Sequence, residues 1–155
     1  MLSVPSFVQS PGFCGPTALR MVLGSYGIRK SERELAKLAG ATPSKGVGVA
    51  GILQAATALG LHAYKKDNAS FADIRRCLSR NIPPIVDWFS WDDGHYSVVI
   101  GLTRTHILLR DPAQRAIRRV RRVDFLRCWF DFPKAYIRDG KEMILRRMIV
   151  VEPQT

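Results

Sequence analysis

Cysteine, histidine and acidic residues are scarce in this sequence, and each scarcity argues against a class of protein. Three cysteines and three histidines in 155 residues are too few and too widely spaced for a disulfide framework or a zinc site, so we expect no metal and no cofactor. No apolar run approaches the roughly 20 residues needed to cross a bilayer, and the first residues lack the features of a secretory signal. We therefore expect a cytoplasmic protein without a transmembrane segment.

Acidic residues are outnumbered by basic ones, 13 against 24, which gives a net charge of +11. Part of this excess is a basic run from Arg115 to Arg122, where five of eight residues are arginine. Such a run can attract an anionic partner such as nucleic acid, anionic lipid or an acidic peptide. It can equally be the solvated face of a strand, and no nucleic-acid-binding motif accompanies it.

The length and composition are those of a globular domain. The apolar fraction is 46% and the charged fraction is 24%, and the sequence contains neither an internal repeat nor a low-complexity segment. A chain of 155 residues is expected to form one domain over residues 1–155. The sequence carries no indication of the oligomeric state.

Helical patterns dominate the first half of the chain and strand patterns the second. Apolar residues recur at helical spacing in four early segments, and capping boxes at Ser31 and Ser70 open two of them. After Pro83 and Pro84 the pattern becomes that of strands. The predicted strands are 61–65, 85–89, 95–102, 106–110, 116–123 and 143–151, with a short helix at 123–130. This order predicts an α+β fold with a helical part packed on a mainly antiparallel sheet.

The segment that follows Gln9 delivers a cysteine to the start of a helix. Gly12 allows a tight turn, and Pro16 suits the first helical position. Because the first backbone N–H groups of a helix favour a thiolate, Cys14 is a candidate nucleophile. The amide of Gln9 is a candidate donor to the oxyanion that forms when a thiolate attacks a carbonyl. This segment alone is equally compatible with a Cys14 that is a small buried hydrophobe.

His95 has the sequence surroundings of a catalytic base, unlike His62 and His106. It opens an apolar strand at a place where a sheet edge meets a loop, and Asp111 ends the next strand. A hairpin with a three-residue turn at 103–105 puts Asp111 diagonal to His95 on one face of the sheet. A two-residue turn puts them on opposite faces unless a bulge shifts the register. With either favourable arrangement Asp111 can hold the imidazole; otherwise Asp111 only ends a strand.

Several of these pieces together resemble the C39 family of cysteine peptidases, papain-like proteins whose best-known members process double-glycine leader peptides. The resemblance covers most of the chain in order. The matching pieces are Gln9, the CGPTAL of residues 14–19, the AATALG of residues 55–60, the GHYSVVIG of residues 94–101, and Asp111 with Pro112.

The resemblance implies a papain-like cysteine peptidase fold and hydrolysis of a peptide or protein substrate through an acyl-enzyme. It implies that Cys14 is the nucleophile, His95 the general base and acid, Asp111 its orienting partner and Gln9 an oxyanion-hole donor. It also implies a freestanding domain, because the sequence lacks the membrane and ATPase segments of transporter-linked members. Two alternatives stay open: an amidase or acyltransferase with the same triad, and a non-catalytic domain that binds peptides or nucleic acid.

Overall fold

Three helices follow one another at the start of the chain, as predicted. The computed structural model describes residues 1–90 and 93–154. A capping box begins the second helix: the Ser31 hydroxyl accepts from the Glu34 N–H, and the Glu34 carboxylate accepts from the Ser31 N–H. Gly40, in the left-handed conformation, ends that helix. The three helices are α1 (Cys14–Ser25), α2 (Glu32–Ala39) and α3 (Val49–Ala58).

In the part of the chain that the structure describes, the main sheet contains six strands, and every neighbouring pair is antiparallel. Its strands are β1 (Leu61–Lys66), β2 (Ile85–Ser90), β3 (Asp93–Leu102), β4 (His106–Arg110), β5 (Arg118–Arg121) and β8 (Arg147–Pro153). They lie in the order β1-β8-β2-β3-β4-β5. A separate two-stranded ribbon pairs β6 (Phe130–Asp131) with β7 (Ile144–Leu145), which a 3-10 turn (Gly140–Glu142) precedes. The remaining helices are α4 (Phe71–Ser79) and α5 (Arg122–Cys128).

Helices cover both faces of the sheet, and each face has its own apolar core. Helices α1, α2 and α3 pack on one face, against Ile85, Val98 and Ile149 among others. Helices α4 and α5 pack on the opposite face, where Phe125 and Trp129 are fully buried. The predicted combination of helices with an antiparallel sheet is therefore confirmed, with a second helical layer added. Among the described residues, no helix is long and apolar enough to cross a membrane.

Most predicted strands lie within two residues of the observed ones, and the two that depart most lie in the second half of the chain. The predicted strand 116–123 is shorter, because Arg122 already begins α5. The predicted strand 143–151 is divided at Arg146, whose φ of 43° turns the chain between β7 and β8. Hydrogen bonds fix this break, since the N–H of Arg146 donates to the carbonyl of Trp129 and its guanidinium donates to the carbonyl of Ala69.

The β3–β4 hairpin closes with a two-residue turn, so the three-residue turn at 103–105 is wrong. The N–H of Thr103 donates to the carbonyl of His106 at 2.9 Å. Further along the hairpin the register shifts between Val99 and Gly101, which is a β-bulge. The bulge compensates for the shorter turn, because one extra residue returns the following side chains to the other face. The alternative with a bulge is therefore the one that forms.

Candidate active site

Cys14 is the first residue of α1 and is partly exposed. The next residue, Gly15, packs tightly: a Cβ there would lie 2.4 Å from Val47 Cγ1 and 3.5 Å from Tyr96 Cδ2. Gly15 follows Cys14 in sequence just as Tyr96 follows His95. The close approach of α1 to β3 at Gly15 therefore brings the Cys14 thiol beside the His95 imidazole, close enough to shift the pKa of His95.

Two hydrogen bonds to the Glu32 carboxylate hold the segment that leads into α1. One carboxylate oxygen of Glu32 accepts from the backbone N–H of Ser10 at 2.9 Å and from the Thr17 hydroxyl at 2.6 Å. Burial favours the neutral carboxyl, but these hydrogen bonds outweigh it and lower the pKa of Glu32. Gly12, with a φ of +80°, lies so close to the Pro43 carbonyl that a Cβ would be 2.2 Å from its oxygen. The hydrogen bonds to Glu32 and the close approach of Gly12 to Pro43 therefore both hold this segment in place.

The imidazole of His95 lies between the thiol of Cys14 and the carboxylate of Asp111. His95 Nε2 is 2.5 Å from Asp111 Oδ1, and this oxygen also accepts from the Ala113 N–H at 2.8 Å. Because Nε2 donates to Asp111, Nδ1 is the nitrogen left to bond Cys14. The Asp111 side chain is fully buried, whereas 14% of the His95 side chain is exposed. The hairpin therefore brings Asp111 to the side of His95 that faces away from Cys14.

The charges of this cluster favour a protonated imidazole. Burial lowers the pKa of His95, but the hydrogen bonds to Asp111 and Cys14 and their charges raise it from 6.5 to about 9. For Asp111 burial acts in the opposite direction and raises the pKa. The hydrogen bonds from His95, Ala113 and Arg118 together with the imidazolium charge outweigh burial and lower this pKa to about 2. At neutral pH the site therefore contains an imidazolium beside a carboxylate.

Arg118 donates a hydrogen bond to the second carboxylate oxygen of Asp111, a contact that sequence reasoning missed. Its Nη1 donates to Asp111 Oδ2 at 2.7 Å, and its guanidinium carbon lies 4.8 Å from the centre of a Trp88 ring. The indole N–H of Trp88 donates in turn to the Ser97 hydroxyl at 3.0 Å. The sequence shows a run of five arginines and does not distinguish Arg118, which contacts Asp111, from the others.

Gln9 lies next to the turn that carries Asp111, but its amide points into its own loop. Its backbone N–H donates to the Pro112 carbonyl at 2.8 Å, which joins the segment before α1 to the end of β4. Its side-chain Nε2 donates to the Ser10 carbonyl at 3.4 Å. The side-chain oxygen is buried and has no hydrogen-bond partner within residues 1–90 and 93–154. An oxyanion contact therefore requires the Gln9 amide to reorient when substrate binds.

A pair of carboxyl groups lies under the site, also unforeseen from the sequence. Asp87, only 2% exposed, lies beside Asp131, whose carboxylate lies against Gly94 so closely that a Cβ would be 2.5 Å from both oxygens. Among the described residues, Oδ1 of Asp87 has no hydrogen-bond partner. Burial and the neighbouring Asp131 raise the pKa of Asp87 well above its ordinary 3.8. Asp87 is therefore protonated at neutral pH.

Replacing Asp87 by asparagine is expected to stabilise the protein increasingly as the pH rises. The folded chain keeps a proton on Asp87 that the unfolded chain releases above about pH 4, so this group costs up to ~1.4 kcal/mol of stability per pH unit above that point. Asparagine has no such proton and still offers an N–H donor to Asp131. Urea unfolding of both proteins from pH 4 to pH 8 measures the effect. The exposed Asp139→Asn is the control, and a difference that does not change with pH would contradict the prediction.

The other cysteines and histidines lie apart from the cluster. Cys77 is 5% exposed and belongs to the core beneath α4, as predicted, and burial raises its pKa. His62 is exposed on β1 and contacts the ring of Tyr64. The Nδ1 of His106 bonds to the Thr105 hydroxyl in the hairpin turn.

The chain is similar in sequence to proteins of two Methanothermobacter species and matches a family model over most of its length. An uncharacterised protein of Methanothermobacter marburgensis is 40% identical over 111 residues, which are 71% of this chain and 72% of the relative. The model of the Peptidase C39 family matches residues 9–132. That range includes every residue of the Cys14, His95 and Asp111 cluster.

Two solved structures show the same fold at low sequence identity. The peptidase domain of Streptococcus ComA, a bi-functional ABC transporter, superposes with a TM-score of 0.74 at 23% identity, covering 99% of this chain and all of that domain. A double-glycine-motif protease from an AMS/PCAT transporter, solved with its leader peptide, has a TM-score of 0.74 at 19% identity, covering 99% of this chain and 94% of that one. With the family match and this fold, the chain belongs to the Peptidase C39 family.

Proposed function

We propose that this protein is a cysteine peptidase that hydrolyses a peptide or protein substrate through Cys14, His95 and Asp111. The observation that carries the proposal is a single imidazole placed between a thiol and a buried carboxylate to which it is hydrogen-bonded. The thiol stands at the N-terminus of a helix, where the backbone favours a thiolate. Family membership and fold support the same class of enzyme.

Acylation uses the proton that the imidazolium holds. The Cys14 thiolate attacks the carbonyl carbon of the scissile amide, and the π electrons move to the oxygen to give a tetrahedral oxyanion. His95 then gives its Nδ1 proton to the amide nitrogen, the C–N bond breaks, and the amine leaves. The product of this stage is a thioester on Cys14 and a neutral His95 that Asp111 keeps in place.

Deacylation returns every group to its starting state. Neutral His95 takes a proton from a water molecule as the water oxygen attacks the thioester carbonyl. The second tetrahedral intermediate collapses, the C–S bond breaks, and Cys14 leaves as a thiolate beside the imidazolium. The net reaction is amide plus water to carboxylic acid plus amine.

Gln9→Ala is expected to lower kcat roughly 100-fold, the usual loss when one oxyanion-hole donor is removed. The prediction depends on the Gln9 amide turning from the Ser10 carbonyl to the substrate oxyanion, a movement for which the weak 3.4 Å contact is a small obstacle. Steady-state kinetics on a cleaved peptide measure it. Gln54→Ala, an exposed glutamine on α3, should leave kcat unchanged. If both variants keep full turnover, Gln9 is not an oxyanion donor.

The substrate class is tested by cleavage of a mixed peptide library in water enriched in ¹⁸O, with wild type and Cys14→Ala compared by mass spectrometry. A peptidase gives new termini only with wild type, and each new carboxyl group gains one ¹⁸O. An acyltransferase gives new amide bonds without ¹⁸O. Absence of any product specific to the wild type, at any peptide length, would contradict peptide hydrolysis and favour an amidase on other substrates or a binding domain.

An anionic partner of the Arg115–Arg122 run stays a separate prediction. Three of its arginines bond within the protein: Arg118 to Asp111, Arg121 to Asp124, and Arg122 to the carbonyls of Thr103 and Arg104. Binding is therefore expected to rest on the exposed Arg115 and Arg119. Arg115→Ser with Arg119→Ser should weaken the association with RNA and reduce its salt dependence, as measured by fluorescence anisotropy. Unchanged binding would contradict this assignment.

A single domain over residues 1–155 and a cytoplasmic location complete the proposal. Both cores lie on the two faces of the same sheet, which supports one folding unit. Cys14, Cys77 and Cys128 are all free, which suits a reducing compartment.

A further inference from the structure

We propose that Arg118 is a positioning residue of the active site: its guanidinium, held on the ring of Trp88, keeps the Asp111 carboxylate aligned with Nε2 of His95. The inference rests on the proposed function, because it concerns the same imidazole. It separates Arg118 from the rest of the basic run and gives this arginine a role in the chemistry of Cys14.

The Asp111 side chain is fully buried and has partners at both carboxylate oxygens. A fully buried carboxylate needs compensation at both oxygens, since an ionised group away from water is costly without partners. Oδ1 is occupied by His95 and the Ala113 N–H, and Oδ2 accepts from Arg118 at 2.7 Å. Without Arg118, Oδ2 loses its charged partner, and only the contacts of Oδ1 with His95 and Ala113 hold the carboxylate. The plane of the carboxylate is then less well fixed relative to Nε2 of His95.

The ring of Trp88 holds the Arg118 side chain in place. Its side chain is 19% exposed and lies over Trp88, a residue that is only 3% exposed. The indole is fixed by its hydrogen bond to Ser97 and by packing against Phe125, with ring centres 5.4 Å apart. Trp88 is also the residue paired with His95 across β2 and β3. The arginine and the imidazole are therefore aligned by the same pair of strands.

The charges of the four groups at the site balance one another. With the Cys14 thiolate and the His95 imidazolium formed, the four groups alternate in sign: Cys14 negative, His95 positive, Asp111 negative and Arg118 positive. The sum is zero, which suits a largely buried cluster. Removal of Arg118 leaves one uncompensated negative charge, and this charge disfavours the thiolate that the reaction needs.

The test compares Arg118→Met, Arg118→Lys and the control Arg119→Met in the full chain. Arg119 is the neighbouring arginine on β5 and is exposed. The first readout is the ¹H NMR resonance of the His95 Nε2 proton, which a short hydrogen bond to a carboxylate moves far downfield. The second readout is the rate of Cys14 alkylation by iodoacetamide at pH 6. Neither readout requires a substrate.

Arg118→Met is expected to abolish or broaden the downfield resonance and to slow Cys14 alkylation at least about tenfold, since it removes a buried charged hydrogen bond. Arg118→Lys should fall between it and wild type, because lysine keeps the charge without the planar fork. Arg119→Met should match wild type. If Arg118→Met fails to fold, the lysine variant decides, and a resonance and rate equal to those of Arg119→Met would overturn the proposal.

The same measurements separate this inference from the proposed function. If wild-type Cys14 shows no selective alkylation, the peptidase proposal fails. If wild type is selective and both Arg118 variants react as fast as Arg119→Met, only the role of Arg118 fails.

Discussion

Replacing Cys14 by alanine is expected to abolish peptide hydrolysis and to leave the fold intact. No other described group at the site is placed to form the thioester, so kcat should fall by at least about 10⁴-fold. Cys14 is partly exposed at the end of α1, so loss of its sulfur should change the free energy of unfolding by less than ~1 kcal/mol. Single-turnover kinetics and urea unfolding measure the two effects.

The matched control for Cys14→Ala is Cys128→Ala. Cys128 is also a free and partly buried cysteine, but it lies at the end of α5 on the opposite face of the sheet. This variant should keep the kcat of wild type. Residual turnover in Cys14→Ala above one per cent of wild type would show that another residue supplies the nucleophile.

Replacing His95 by alanine is expected to lower kcat at least about 10³-fold, the usual contribution of a general acid and base. The variant loses the proton donor for the leaving amine and the cation that stabilises the Cys14 thiolate. The control is His62→Ala, an exposed histidine on β1, which should retain full activity. Equal activity of the two variants would contradict the role of His95.

The pH dependence of wild type follows from the same residue. Because the pKa of His95 is raised to about 9, the imidazolium is present at neutral pH, and kcat/KM should fall as the pH rises through 9. The charged His95 also contributes stability that is complete below pH 6.5 and is lost as the pH rises through about 9. Both effects should be absent from His95→Ala.

The parts of the site that local patterns specify could be predicted from the sequence. Glycine and proline around Cys14 predict the start of α1, and the apolar run after His95 predicts β3. Capping boxes at Ser31 and Ser70 predict the starts of α2 and α4. Each of these signals acts between residues that are close in sequence, so no knowledge of the tertiary fold is needed.

The parts that depend on contacts between distant segments could not be predicted. The two-residue turn and the bulge after Val99 give Asp111 the same side of the hairpin as the predicted three-residue turn, and the sequence does not distinguish them. The contact of Arg118 with Asp111 needs β5 to lie beside β4. The contact of Asp87 with Asp131 needs β6, a strand of two residues, to lie beside β2.

The most direct test of the account is the alkylation of all three cysteines by iodoacetamide at pH 6, read by mass spectrometry in one sample. With wild type, Cys14 is expected to react at least about tenfold faster than Cys77 and Cys128, because it stands at a helix N-terminus beside the His95 imidazolium. In His95→Ala this preference should disappear. If Cys14 reacts no faster than the other two cysteines in wild type, or equally fast without His95, the activated pair does not exist and the protein is not a cysteine peptidase.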